Sequence, residues 1–193
     1  MLKPLILNCM KINRTRRFFI RNTALTAVGI ALVPSAILAK QNKKNFVSFK
    51  DHVASAPNNS DLRTFPFVGK QLTVKGCVYD KSGLYPLANA SIEVWHLSPN
   101  SNKFSHKAKL VSNASGAYLF QTDFPNKEEG KAPRIYFKLS HGATSYSTEL
   151  LVSDYGAHVT GEHWERNKQL ESKLFPKKTG TFNASTVTFN LSI

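Results

Sequence analysis

The stretch Lys75–Leu97, KGCVYDKSGLYPLANASIEVWHL, decides the fold, because it reads as two strands joined by a turn-rich connection. Apolar or small residues alternate with outward-facing ones through its first half, starting just upstream, at Leu72, Val74, Gly76 and Val78. Asp80–Gly83 supplies turn chemistry, since glycine tolerates a positive φ. The second strand, Ser91–Leu97, places one set of side chains on a single face: Ile92, Val94 and His96.

Five further segments have the period-two pattern or the composition of strands: Lys107–Val111, Ala117–Thr122, Ala132–Ser140, Tyr146–Asp154 and Ser185–Ile193. Helical composition is confined to Phe46–Ala54 and Gly161–Leu174, the latter followed by Pro176. Many short strands with turn signals between them predict an all-β sandwich with one or two short helices.

Residues 1–39 have the pattern of an export signal: six basic residues, no acidic ones, and the pair Arg16-Arg17 ahead of an apolar run. The run Ala24–Val33 is short for a membrane span. We expect twin-arginine export and cleavage after Ala39, with an uncleaved amphipathic anchor as the alternative. The protein would then be periplasmic or secreted, touching a membrane only through the signal before cleavage.

The remaining chain, residues 40–193, is long enough for one domain and carries 20 basic and 12 acidic residues, a net charge of +8. No basic block is interleaved with aromatics, so we do not expect nucleic-acid binding. Cys77 is the single cysteine there, so no intramolecular disulfide is expected. Residues 40–69 read as a polar arm whose Phe65–Phe67 segment packs onto the sandwich. Serine, histidine and aspartate are plentiful, but no nucleophile-elbow spacing singles any of them out.

The opening motif carries a resemblance to a known family, and its matching residues are Gly76, Val78, Asp80, Gly83, Pro86, Ala90, Ile92, Glu93, Val94 and Trp95. Later matches are the strand Gly116-x-Tyr118-x-Phe120-x-Thr122, the segment Pro133–Phe137 and the strand Ser147–Asp154. Over residues 70–193 the chain resembles the intradiol ring-cleavage dioxygenases, the catechol and protocatechuate dioxygenases. The resemblance implies a Greek-key β-sandwich of the intradiol dioxygenase-like, or transthyretin-like, type.

The chemistry implied by the resemblance is cleavage of a catechol ring at ferric iron held by two tyrosinates and two histidines. At the matching positions stand Phe104, Glu128, Arg134 and Tyr136, so none of the four ligands has its expected form. We therefore expect no cofactor, or Fe(III) only if other residues rebuild the site. Replacement ligands would then come from His96, His106 and Tyr136. The simpler interpretation makes both histidines surface or strand-edge residues and Tyr136 a packed aromatic.

Two functional hypotheses follow. In the first, the protein is by descent an aromatic-ring-cleaving non-haem iron dioxygenase of the cell exterior that has lost its iron. Its cleft could still bind a small aromatic or acidic ligand through Lys103, His106, Arg134 and Lys138. Whether it is an enzyme stays open. The alternative is a non-enzymatic periplasmic module that binds carbohydrate, an aromatic acid or a protein partner, because the opening motif is also similar to transthyretin-like and carboxypeptidase-regulatory-like sandwiches. Trp95 and Trp164 are weak candidates for stacking on a sugar.

Overall fold

A computed structural model describes residues 56–65 and 68–193. The expected export signal and the expected helix at Phe46–Ala54 lie outside these ranges. The described residues form the strands β1 (Gln71–Tyr79), β2 (Ser91–His96), β3 (His106–Val111), β4 (Ala117–Asp123), β5 (Arg134–His141), β6 (Thr144–Val152), β7 (Ala157–Val159), β8 (Lys177–Gly180), β9 (Ala184–Thr188) and β10 (Leu191–Ser192). Helix α1 (Gly161–Arg166) is followed at once by a 3-10 segment, Lys168–Leu174.

The strands make two five-stranded sheets, which confirms the predicted all-β sandwich. In the first sheet β1 is central: β4 pairs with it antiparallel, β9 and β10 pair with successive parts of it in parallel, and β8 follows β9. The second sheet is antiparallel throughout, in the order β3-β2-β5-β6-β7.

The core lies between the sheets and is built by the alternation that the sequence shows. Phe137 of β5 is fully buried, with its ring centroid 5.1 Å from that of Phe189 and 6.2 Å from that of Phe120 of β4. Ile92 and Val94 of β2 are also buried here. Each of the largest core side chains removes enough apolar area from water to contribute roughly 1.5–3 kcal/mol to folding.

The predicted final strand is split into β9 and β10 by Phe189 and Asn190. Gly76 of β1 explains the break: a Cβ there would lie 1.8 Å from the Phe189 carbonyl oxygen, so the chain can pass this close only to a glycine. The Phe189 oxygen accepts from the Tyr118 hydroxyl at 2.6 Å, and the Asn190 side chain accepts the Cys77 amide at 3.0 Å. These side chains replace the lost ladder bonds.

Three more elements differ from the sequence prediction. The predicted helix at Gly161–Leu174 is α-helical only to Arg166, because the Asn167 side chain is drawn inward, where its oxygen accepts the Ser192 amide at 3.0 Å. The short strands β7 and β8 were not predicted; three and four residues give too little alternation to recognise. Within the described ranges, no helix has the length and apolar character needed to cross a membrane.

The described part of the predicted polar arm runs along the sandwich. Asn58 forms an isolated parallel bridge to Lys109 of β3, and Asp61 forms one to Gln121 of β4. Leu62 is 9% exposed and joins the core. The residue expected to pack, Phe65, is instead 66% exposed, and its neighbours at 66 and 67 lie outside the described residues.

Candidate functional site

The cleft in which the resemblance places iron lies on the outer face of the second sheet. Trp95 of β2 and Tyr136 of β5 are directly paired in register, and their rings stack with centroids 5.7 Å apart. Phe104, from the loop after β2, covers the pair with its ring centroid 6.0 Å from that of Tyr136. The Tyr136 hydroxyl donates to the Glu128 carboxylate. The structure thus brings Phe104, Glu128 and Tyr136 together, over a Trp95 that is only 3% exposed and cannot stack on a sugar.

Two of the three cations expected to meet an acidic ligand are paired with acidic side chains of the protein. Arg134 donates to Glu149 of β6 at 2.8 Å and to the Ala132 carbonyl at 3.1 Å. Lys138 lies 3.7 Å from the Glu93 carboxylate, its register neighbour on β2. The third expected cation, Lys103, is exposed in the turn after β2. A carboxylate ligand would therefore have to displace internal ion pairs at Arg134 and Lys138.

The side chains at the four ligand positions do not fit ferric iron. Phe104 has no donor atom, and Arg134 is a permanent cation. Burial and the neighbouring Glu128 carboxylate raise the pKa of Tyr136, which keeps its phenol protonated and unlike the tyrosinate that Fe(III) requires. Glu128 itself already accepts from Tyr136 and, at 2.7 Å, from Lys131. Across residues 56–65 and 68–193, no three His, Cys, Asp or Glu side chains converge as a metal-binding group.

The proposed replacement ligands are divided by the second sheet. Tyr136 lies on its outer face, whereas His96 and His106 lie opposite each other on β2 and β3, on the face directed into the sandwich. Their ring centroids are 4.8 Å apart. Of the interpretation as surface or strand-edge residues, the surface part was wrong: His96 is 0% and His106 6% exposed, although they lie at the end of β2 and the start of the edge strand β3. At a strand end, a polar side chain on the inward face of the sheet is buried when a hydrogen-bond partner is available there.

His96 has its partners within the fold. Its Nδ1–H donates to the Leu97 carbonyl at 2.8 Å, and its Nε2 accepts from the Thr122 hydroxyl of β4 at 2.6 Å. Burial lowers the pKa of His96 to about 3, so its ring is neutral at physiological pH. This histidine is a structural link between the two sheets.

His106 is the centre of a different network. Its Nε2–H donates to Asp123 Oδ2 at 2.9 Å, and its Nδ1 accepts from the Ser98 hydroxyl at 2.8 Å. Asp123 Oδ2 also accepts the Thr64 amide at 2.8 Å, while the Thr64 hydroxyl lies 3.3 Å from His106 Nε2. Because a carboxylate only accepts hydrogen bonds, the Asp123 contact places a proton on Nε2, and Nδ1 faces the Ser98 hydroxyl.

This network faces a cavity of about 790 Å³ at the end of the sandwich where β2 and β4 finish. Its polar lining includes Ser98, His106 and Asp123, and its apolar lining consists mainly of Leu62, Phe65, Val68 and Phe124. A cavity of this size lined by both apolar and polar groups has the character of a small-molecule site.

Sequence reasoning found His106 but not its partners. Ser98 and Asp123 lie 8 and 17 residues away along the chain, and no local spacing joins them. The available signal was the register of the strands: His106 opens β3 opposite the end of β2, and Asp123 closes β4 on the facing sheet. That register becomes visible only once both sheets are assembled.

The solved structures that this chain resembles are intradiol dioxygenases. The dioxygenase domain of a dioxygenase carbohydrate-binding protein fusion from Streptomyces sp. SirexAA-E has a TM-score of 0.56 at 18% identity, over 74% of this chain and 91% of that one. An intradiol ring-cleavage dioxygenase from Tetranychus urticae has 0.54 at 13%, over 74% and 89%. Chlorocatechol 1,2-dioxygenase from Pseudomonas putida has 0.53 at 21%, over 74% and 68%. The predicted resemblance is confirmed for the fold.

Comparison at the level of sequence gives no such match: neither a protein-family model nor a curated protein matches the chain. The likeness therefore lies in how the strands are arranged, and function has to be argued from this chain's own side chains.

Proposed function

We propose that this chain is an exported relative of the intradiol dioxygenases that has lost the ferric centre and binds a small organic molecule in the cavity beside His106. The observation that carries the proposal is the state of the four ligand positions: each is filled by a side chain that either lacks a donor atom or is already bonded within the protein. Export is proposed from the twin-arginine pattern at Arg16-Arg17.

The ligand class follows from the cavity. Phe65, Val68 and Phe124 offer apolar and aromatic contact, while Ser98 and Asn126 stand on its polar side. The cavity therefore suits a molecule with one ring, or a similarly small apolar group, that carries one or two hydrogen-bonding groups. A strongly acidic ligand suits the outer cleft poorly, because Arg134 and Lys138 are paired with carboxylates there.

Loss of the iron centre is tested on the mature protein, purified with iron present. Metal content and the visible spectrum are measured with and without catechol. We expect substoichiometric iron and no catechol-dependent charge-transfer band. Near-stoichiometric iron with such a band would overturn the first half of the proposal.

Ligand binding is tested by ligand-observed NMR with catechol and benzyl alcohol as probes. Val68→Trp narrows the cavity at an exposed position, so binding should weaken at least tenfold. Val111→Trp, on an exposed position of β3 outside the cavity, is the matched control and should bind as the wild type does. Equal binding by both variants would place the ligand elsewhere.

A further inference from the structure

We infer that Ser98, His106 and Asp123 form a nucleophilic triad, and that the cavity holds a serine esterase site for small uncharged esters. The inference rests on the proposed function in one respect, since it needs the cavity to admit a small molecule. It goes beyond that function by assigning a covalent reaction and the residues that perform it.

The geometry satisfies the requirements for an activated serine. A base must accept the hydroxyl proton within hydrogen-bond reach, and a third group must hold that base in the right tautomer. His106 Nδ1 lies 2.8 Å from Ser98 Oγ, and His106 Nε2 lies 2.9 Å from Asp123 Oδ2. The two ring nitrogens are used in the opposite order from the familiar serine proteases, but the role of the imidazole is the same: it takes up the serine proton at the nitrogen that faces the hydroxyl.

The surroundings hold the base and the carboxylate in place and leave the serine at the cavity. Asp123 is 5% exposed and is held in place by the Thr64 amide, so it is a buried positioning residue with a fixed orientation. The ring beside His106 is that of His96, tilted by 31° with its centroid 4.8 Å away, and burial keeps His96 neutral. Ser98 is only half-buried and lines the cavity, which leaves its oxygen open to a substrate.

The reaction balances without any further reagent. Ser98 Oγ attacks the ester carbonyl carbon and transfers its proton to His106 Nδ1. The carbonyl–alkoxy bond breaks, and the alcohol leaves with that proton. Water then attacks the acyl-serine, gives one proton to Nδ1, and releases the acid while Ser98 recovers its hydrogen. The apolar residues that line the cavity, among them Leu62 and Phe124, suit a short acyl chain or an aromatic ester.

The test is covalent labelling of the full mature chain by diisopropyl fluorophosphate, located by peptide mass spectrometry, together with hydrolysis of p-nitrophenyl acetate. We expect labelling at Ser98 and loss of both signals in Ser98→Ala, at least about a hundredfold in rate, as expected for a nucleophile with its general base. Ser101→Ala, in the same loop but not lining the cavity, is the control and should react like the wild type.

The role of Asp123 is tested separately, because a buried carboxylate also supports the fold. Asp123→Asn should slow labelling at least tenfold, and Asp123→Glu should restore part of the rate, whereas a purely structural role would make the two variants equally reactive at equal melting temperature. Labelling that is absent, or unchanged in Ser98→Ala, would overturn the inference. Ser98, His106 and Asp123 would then serve only to hold the loop after β2 in place. If benzyl alcohol still binds in that case, the inference fails alone; if neither binding nor labelling occurs, both proposals fail.

Discussion

Replacing Gly76 with alanine tests the close approach that divides the last strand. The new Cβ would sit 1.8 Å from the Phe189 carbonyl oxygen, where a carbon–oxygen contact needs about 3.3 Å, so the backbone must move by about 1.5 Å. That shift strains two hydrogen bonds: Tyr118 hydroxyl to Phe189 oxygen at 2.6 Å, and Phe189 amide to Lys75 oxygen at 2.8 Å. Overpacking costs about 1–3 kcal/mol and each lost bond about 1 kcal/mol, giving about 3–5 kcal/mol.

The assay is equilibrium urea unfolding followed by the fluorescence of Trp95, which is buried in the fold. The free energy of unfolding should fall by about 3–5 kcal/mol, and in a thermal unfolding experiment the melting temperature should fall by roughly 9–15 °C, at about 3 °C per kcal/mol for a domain of this size. Gly161→Ala is the control, because no atom lies within 4 Å of its added Cβ and it opens helix α1; its effect should stay within about 0.5 kcal/mol. A Gly76→Ala protein within about 1 kcal/mol of the wild type would refute this account of the break.

Three further experiments probe the charges and protons of the fold. Tyr136→Phe should lower the free energy of unfolding by at most about 1.5 kcal/mol in urea titrations and leave iron content unchanged, because its hydroxyl serves Glu128 and no metal. Burial lowers the pKa of His163 to about 4, whereas the unfolded chain has the ordinary value of 6.5. Below pH 6.5 the unfolded state therefore takes up a proton that the folded state does not, and the free energy of unfolding falls as the pH drops from 6.5 towards 4. Wild type should therefore lose about 2 kcal/mol from this group between pH 8 and pH 5, and His163→Gln should show a correspondingly flatter pH dependence; equal slopes would contradict the assignment. A double-mutant cycle of Arg134→Gln and Glu149→Gln should give a coupling energy of about 1–2 kcal/mol, which is more than an exposed ion pair contributes. A coupling energy near zero would mean that Glu149 does not keep Arg134 from binding a ligand.

The sequence predicts the sandwich well because its strands alternate cleanly: Ile135, Phe137 and Leu139 of β5 are all fully buried, as their spacing requires. The short strands β7 and β8 form only because each pairs with the edge of a longer neighbouring strand. That pairing leaves no signal in the local sequence pattern.

The candidate site was only partly predictable for a similar reason. Sequence motifs pointed to the outer face, and the structure does bring Phe104, Glu128 and Tyr136 together there. The cavity at the end of the sandwich depends on three segments, those of Ser98, His106 and Asp123, whose meeting is decided by strand register and by the arm that packs over them. Single-sequence reasoning has no measure of that register.

The arm has a consequence for how copies of this protein behave towards one another. Strands β3 and β4 each have one side without a strand partner, and the arm occupies both: the Lys109 amide donates to the Pro57 carbonyl and the Gln121 amide to the Ser60 carbonyl, each at 2.8 Å. Open strand edges of this kind are templates for intermolecular β-pairing. Residues 56–62 thus cover both open edges, and a protein shortened to begin at residue 63 should expose two unpaired strand edges at once, one on each sheet.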